Sequence, residues 1–338
     1  MKLLTGRKST EWRLGMRVFM ILFAFAAAAW GQAAQPLRLE RTIDLPEVQG
    51  RIDHLSVDVK GQRLFVSALG NNTVEVIDLK GGKRVKTITG LQEPQGVLYV
   101  PDTDRLYVAN AKDGSVRVFD GSSYAALKTL DYGDDADNLR YDAGHRRVYV
   151  GYGIGALGEI DNESKAGEIK LDAHPESFQL EKDGPRIYVN LPKSRKIAVL
   201  DREKRSIIAT WPIGMALANY PMALDQADHR LFVMTRFPAR LLAFDSNTGK
   251  TIQHLPAIGD CDDLFYDQTR KRIYAIGGEG GISVFEQQDP DHYKESLRIT
   301  TVPGARTGFF SPELDRLFLA VRRHGEQAAA IRVFAPER

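Results

Sequence analysis

Acidic residues recur at matched positions of this 338-residue sequence, with a histidine close to two of them, at spacings that could bring them to one site. A strand-like segment that begins with arginine occurs seven times, and a polar residue stands ten positions before each of these arginines. Hard oxygen ligands of this kind suit Ca²⁺ or Mg²⁺, and a histidine beside an aspartate can act as a general base. The candidate metal ligands are Asp53, Asp137, Glu176, Asp262 and Asp263, and the candidate proton-transfer residues are His54 and His174.

The repeat itself predicts the elements that would position these side chains. Its arginines lie between 39 residues (Arg147 to Arg186) and 44 residues (Arg186 to Arg230) apart, close to the roughly 40–45 residue period of propeller blades. The first copy contains four short runs of β-type residues separated by turn signals, at 54–58, 63–67, 73–78 and 84–89. We therefore expect an all-β, seven-bladed β-propeller with four strands in each blade.

The last copy is one strand short, and the missing strand has a counterpart near the N terminus. Residues 38–45 resemble the fourth run of the first copy, with Glu40-Arg41-Thr42-Ile43 matching Val85-Lys86-Thr87-Ile88. An N-terminal strand in that place closes the last blade and leaves no long exposed sheet edge. The expected propeller domain therefore spans residues 38–337.

A second set of candidate residues is cationic and lies around the expected mouth of the central channel. In each blade, the loops that enter the first strand and the loops that join the second strand to the third lie on one face, which we call the variable-loop face because these loops differ in length. The candidate ligand-binding or partner-binding residues on it are Lys193, Arg195, Arg236, Phe237, Arg240, Arg306, Arg322 and Arg323. Most are expected in second-to-third-strand loops, and they would suit a small anionic ligand or a protein partner. The alternative is a solvated channel whose polar residues cap backbone groups, inside an ordinary solvated rim.

Two short motifs within the repeat resemble a known family. Leu106-Tyr-Val-Ala-Asn110 and Ile187-Tyr-Val-Asn190, each followed by a strand ending in aspartate at Asp120 and Asp201, are similar to the YVTN family of bacterial β-propeller repeats. The resemblance covers roughly residue 38 to the C terminus and implies a secreted or periplasmic propeller. Relatives by fold include lactonases, parts of redox enzymes and nucleic-acid-binding proteins, so the resemblance leaves the function open.

The first 33 residues predict a secretory signal peptide. Lys2, Arg7 and Arg17 are among five basic residues that precede the apolar run 18–29, and small residues around Ala33 suit a cleavage site. A start at Met16 would give a more compact signal. We expect a periplasmic or secreted protein with no membrane span after cleavage, because the run is shorter than the ~20 residues that a spanning helix needs.

Composition excludes several classes of function. A single cysteine, Cys261, excludes an internal disulfide framework, a CxxC zinc site and a c-type haem attachment. The net charge of +2 gives no basis for nucleic-acid binding. Residues 153–158 fit GxGxxG but open no helix, so no NAD site is expected, and a divalent cation is the one cofactor that the residues suggest.

Two hypotheses from different classes remain. The first is a non-enzymatic binding module of the cell envelope, because the sequence contains no complete catalytic signature. The alternative is a lactonase-like, metal-assisted hydrolase at the channel mouth. There a bound cation would polarise a carbonyl group while His54 or His174 moved protons.

Overall fold

Each repeat of the sequence forms one four-stranded antiparallel sheet in the computed structural model, which describes residues 35–338. Blade 1 shows the pattern, with strands β2 (Leu55–Asp58), β3 (Arg63–Ala68), β4 (Thr73–Asp78) and β5 (Lys83–Ile88), and a 3₁₀ turn at Leu69–Asn71. These bounds lie within one or two residues of the predicted runs. The predicted signal peptide, 1–33, lies outside the described residues.

The other blades repeat this order from the channel outward. Blade 2 contains β6 (Pro94–Val100), β7 (Arg105–Asn110), β8 (Ser115–Asp120) and β9 (Ala126–Asp131); blade 3 contains β10 (Leu139–Asp142), β11 (Arg147–Tyr152), β12 (Ala156–Asp161) and β13 (Ser164–Lys170); blade 4 contains β14 (Phe178–Leu180), β15 (Arg186–Leu191), β16 (Lys196–Asp201) and β17 (Ser206–Pro212). Blade 5 contains β18 (Leu217–Asp225), β19 (Arg230–Phe237), β20 (Ala239–Asp245) and β21 (Thr251–Pro256); blade 6 contains β22 (Cys261–Asp267), β23 (Arg272–Gly277), β24 (Gly281–Asp289) and β25 (His292–Thr300).

Blade 7 joins the two ends of the described chain. Its order is β26 (Thr307–Ser311), β27 (Arg316–Val321), β28 (Ala329–Pro336) and then the N-terminal strand β1 (Leu37–Leu45), which pairs antiparallel with β28. The prediction of a seven-bladed propeller closed by an N-terminal strand is confirmed. Within residues 35–338, no helix has the length and apolar character needed to cross a membrane.

The apolar core lies between neighbouring blades. Second strands are buried on both faces, as in β3, where Leu64, Phe65 and Val66 are fully covered. Fourth strands such as β5 are largely exposed. A strand sandwiched between two sheets must be apolar on both faces, and this explains the continuous branched and aromatic runs of the repeat. The blades therefore form a rigid frame that fixes where each inner strand begins.

The repeat arginines lie on the face opposite the variable-loop face, beside the hairpin turns that join first and second strands. Arg63 pairs with Asp58 at 2.7 Å, and its guanidinium lies 5.5 Å from the ring centres of Phe65 and Tyr99. Asp58 also accepts a hydrogen bond from the backbone N–H of Gly61 and so closes the hairpin turn. The most regular residues of the sequence therefore stabilise turns and blade contacts.

Candidate functional site

The backbone holds the matched polar residues in equivalent places at the start of the inner strands. The backbone N–H of Asp53 donates to Ser67 O at 2.8 Å, that of Asp137 to Gly151 O at 2.9 Å, and that of Glu176 to Asn190 O at 3.0 Å. Each bond reaches the end of the second strand in the same blade. The shared register that the sequence predicts is therefore present in three dimensions for blades 1, 3 and 4.

His54 lies among three carboxylates from three blades. Its Nδ1 is 3.5 Å from Asp263 Oδ1, and its Nε2 is 3.7 Å from Asp53 Oδ1 and 3.9 Å from Asp137 Oδ1. Burial alone would lower the pKa of His54, but the carboxylates of Asp263, Asp53 and Asp137 outweigh it and raise the pKa to about 10. At neutral pH an imidazolium therefore supplies positive charge at this point.

Asp137 lies between this histidine and a second one. Its Oδ2 is 4.0 Å from His174 Nε2, while His174 Nδ1 is 2.6 Å from Gly153 O and donates its proton there. Burial would lower the pKa of His174, but Asp137 and the Gly153 carbonyl raise it to about 9. Asp137 is only 5% exposed, and its Oδ1 has no hydrogen-bond partner among the described residues.

A close backbone approach helps to fix Asp137. A Cβ atom at Gly96 of blade 2 would lie 2.2 Å from the carbonyl oxygen of Asp137, so any larger residue there would displace blade 3. Only glycine gives this clearance.

Glu176 adds an acidic proton to the same cluster. Burial, with a contribution from Asp137, raises the pKa of Glu176 to about 8. Its carboxyl group is therefore largely protonated at neutral pH and can donate a hydrogen bond, whereas Asp137 accepts. The mouth thus presents a donor and an acceptor side by side.

Arg51 is a functional candidate that the sequence analysis missed. Its guanidinium donates to the carboxylate of Asp53 and lies 3.4 Å from Gln95 Oε1. The side-chain amide of Gln95 in turn donates to Asp135 at 3.2 Å. The Arg51 side chain is 41% exposed, so it faces anything that enters the mouth. It stands two residues before the matched position, and its proximity to Asp53 was the one signal in the sequence.

The blade 6 carboxylates are neutralised by arginines. Asp262 is 2.5 Å from Arg236 Nη2 and 2.7 Å from Arg306 Nε, and Asp260 contacts both guanidinium groups at 3.3 and 3.1 Å. Arg236 also stacks 4.2 Å from the ring centre of Tyr220. Burial raises the pKa of Asp262, the two arginines oppose this, and the result is about 6. Two predicted ligand-binding residues are therefore joined to a predicted metal ligand.

Three residues expected in a loop lie in strands instead. Blade 5 continues its pairing through Arg236↔Ala239, so Arg236 and Phe237 end β19 and Arg240 belongs to β20. The expectation of a loop at these positions was wrong, because the pairing Arg236↔Ala239 leaves only the two-residue turn Phe237-Pro238 to reverse the chain.

The remaining rim candidates are more exposed. Three of them are exposed and form no ion pair within the described part of the chain: Lys193, Arg195 and Arg322. Phe237 is 66% exposed, and Arg240 is half-buried. Arg323 donates to the carbonyl of Pro46. Rim cations are therefore available to a ligand on the variable-loop face.

The metal-site hypothesis stays a prediction. Residues 35–338 contain no group of three or more His, Cys, Asp or Glu side chains arranged to hold a metal ion. The carboxylates of Asp53, Asp137 and Asp263 instead surround the imidazole of His54. Nearby Cys261 is buried, and burial raises its pKa well above that of a free thiol, which disfavours a nucleophilic role.

Comparison with known proteins supports the fold alone. No protein-family model matches the chain, and a search of curated proteins finds no relative, so the YVTN resemblance stays a prediction. A structure described as hydrazine synthase of Kuenenia stuttgartiensis is 16% identical with a TM-score of 0.69 and covers 85% of this chain and 97% of its own. A mitotic checkpoint complex structure contains a chain that is 14% identical with a TM-score of 0.75, covering 96% of this chain and 99% of its own. At such identities the likeness extends to the propeller architecture and no further.

Proposed function

We propose that this chain is an exported, non-enzymatic β-propeller that binds a small ligand at the channel mouth of the variable-loop face. The ligand would carry an anionic group together with a hydroxyl or ammonium donor. The observation that carries this proposal is Asp137 Oδ1, which is buried without a hydrogen-bond partner among the described residues. Such a group is costly in a folded protein unless a ligand or ordered water satisfies it.

The surrounding charges support the two-part chemistry of the ligand. Arg51, His54 and His174 provide positive charge on one side of the mouth, with exposed Lys193 and Arg322 farther out on the rim. An anionic group would contact these cations, and a hydroxyl or ammonium group would donate to Asp137. The proposed location in the periplasm or outside the cell rests on the basic and apolar segment before Ala33 and on the YVTN resemblance.

A thermal-shift screen tests the proposal. The purified protein is heated with hydroxycarboxylates, amino acids and inorganic phosphate, and a compound that raises the melting temperature is titrated by calorimetry. Asp137→Asn should weaken its binding by at least about ten-fold, about 1.4 kcal/mol. The matched control, Asp44→Asn, changes an exposed carboxylate on the outer strand β1 and should bind as the parent does. Equal binding by the parent and Asp137→Asn would overturn the assignment.

Metal-assisted hydrolysis is a second candidate function. It is favoured by the side chains of Glu176 and His174, whose raised pKa values lie near the pH at which proton transfer would be needed. Elemental analysis of the purified protein separates the two candidates, because a metal-dependent hydrolase should retain about one equivalent of metal per chain. Hydrolysis of lactone substrates that is lost with a chelator would favour the enzyme.

A further inference from the structure

The most exposed apolar side chains of the described residues gather on the variable-loop face. Met215 is 94% exposed, Ile154 is 89% exposed and Phe237 is 66% exposed, and all three belong to loops or strand ends on that face. Leu127 on β9 and Val85 on β5 lie on outer strands and are less exposed, at 46% and 50%. Single exposed apolar residues need no explanation, but a concentration on one face marks an interaction surface.

Blade 5 departs from the other blades at this point. Its second strand, β19, has eight residues, whereas the second strand of every other blade has six. All seven begin at the repeat arginine, so the extra residues, Arg236 and Phe237, extend the variable-loop end. Phe237 is paired across the strands with Leu217, which is itself 41% exposed. The hairpin therefore presents an apolar pair beyond the common rim.

A groove of about 510 Å³ lies beside this pair. It runs between the connection 213–216, which leads from blade 4 into blade 5, and the outer hairpin of blade 5. Its lining combines apolar residues, including Met215 and Leu242, with Arg240 and His254, and it contains no acidic residue. A volume of this size falls in the range of about 300–1,000 Å³ typical of ligand pockets, enough for one large apolar side chain.

Positive charge borders the same groove. Arg240 lines it, and Arg195 lies next to it, because the carbonyl of Arg195 accepts the backbone N–H of Ile213 at 3.3 Å. Neither guanidinium forms an ion pair within residues 35–338, in contrast to Arg236 and Arg306 at the channel mouth. Cations that keep their charge beside an apolar groove complement a partner that is acidic around an apolar anchor.

We propose that this surface, defined by Met215, Leu217, Phe237, Arg195 and Arg240, docks an acidic peptide segment of a partner protein. One large apolar side chain of the segment would fill the groove, and flanking Asp or Glu residues would pair with the two arginines. Aromatic and arginine residues of this kind dominate the energetics of protein interfaces. The groove lining includes neither histidine of the channel mouth nor Asp137, so the proposal does not depend on the small ligand.

Peptide selection on the purified full chain tests this proposal. Short random peptides displayed on phage are selected on the immobilised protein, and the enriched sequence is synthesised with a fluorescent label for anisotropy. We expect a large apolar residue flanked by acidic residues. Phe237→Ser and Arg240→Glu should each weaken binding at least about ten-fold. Leu127→Ser, the matched control on β9, should leave it unchanged, and so should Asp137→Asn.

Charge reversal makes the test more specific. Selection on the Arg240→Glu variant should enrich basic flanks around the same apolar anchor. The absence of any enriched sequence would overturn the proposal, as would a peptide that binds the parent and both variants equally. Light scattering that shows self-association abolished by Phe237→Ser would overturn it in favour of a second copy of this chain. Co-sedimentation with anionic lipid vesicles that is lost in Phe237→Ser would overturn it in favour of a membrane surface.

Discussion

The two sides of the channel mouth contain similar charges but arrange them differently. Around Asp262, the guanidinium groups of Arg236 and Arg306 make direct contacts of 2.5 and 2.7 Å. Around Asp137, the imidazoles of His54 and His174 stay at 3.9 and 4.0 Å, and a carboxylate oxygen is left without a hydrogen bond. On the arginine side, around Asp262, opposite charges are in direct contact and stabilise the packing of neighbouring blades. On the histidine side, around Asp137, the charges are held slightly apart and leave hydrogen-bonding capacity for a ligand.

The largest loss of stability should come from removing the arginines that contact Asp262. Replacing both Arg236 and Arg306 with alanine leaves Asp262 buried without its partners, which should lower the free energy of unfolding by about 3–5 kcal/mol. Urea denaturation of the double variant measures this. The control is Arg322→Ala, which removes an exposed arginine and should change stability by less than about 0.5 kcal/mol. A similar loss of stability in the double variant and in Arg322→Ala would contradict the stabilising role of the contacts with Asp262.

The two histidines should make the stability of the folded chain depend on pH. His54 and His174 bind their protons more tightly in the folded chain, with pKa values raised to about 10 and about 9. Their stabilisation is therefore fully present below the ordinary histidine pKa of 6.5 and is lost as pH rises through these values. The pKa of Glu176 is likewise raised, from 4.5 to about 8. Its protonation therefore also stabilises the folded chain, and this stabilisation is lost over a lower pH range, as the pH rises through about 8.

Denaturation midpoints should accordingly fall as the pH is raised from about 7 to 10, and His54→Gln should flatten the upper part of this decline. Proton NMR gives the direct measurement, because His54 and His174 should titrate well above the ordinary histidine pKa of 6.5. Titration of both His54 and His174 near 6.5 would contradict the close approach of the carboxylates to these two imidazoles.

A smaller loss of stability is expected from Asp137→Asn. The Asp137 carboxylate makes only long ion contacts with the histidines, at 3.9 and 4.0 Å, so replacing it with an amide should lower the free energy of unfolding by about 1 kcal/mol, the order of one hydrogen bond. The substitution should also lower the pKa of both histidines, because it removes a negative charge that they share. A loss of stability as large as that of the double arginine variant, with ligand binding unchanged, would identify Asp137 as a structural cap.

The smallest effect is expected at Cys261, which begins β22 on the arginine side. Its thiol is 1% exposed, and burial raises its pKa, so thiol reagents should not modify the folded protein. Absorbance with a disulfide reagent should rise only after unfolding in guanidinium chloride. Rapid labelling of the folded chain would show that the arginine side opens readily.

The repeat arginines were sufficient to predict the blades, since turn closure and blade packing need the same residues in every copy. The matched register also placed Asp53, Asp137 and Glu176 at equivalent points on the inner strands. The roles of Arg236 and Arg306 could not be predicted in the same way, because a surface arginine and an arginine paired across a closed ring look alike in sequence. Only the spatial approach of neighbouring blades brings these arginines to Asp262.

Closure of blade 7 also constrains the order of events during synthesis. Strand β1 pairs with β28, and Arg38 contacts Glu337 at 2.6 Å, so the earliest and latest segments of the described chain meet. Contacts between such distant segments form slowly, because a long loop must close before any contact compensates its entropy. On a ribosome, β1 has no partner until the last blade has been translated. During that interval the growing chain carries an unpaired strand, the kind of element that makes folding intermediates prone to aggregate.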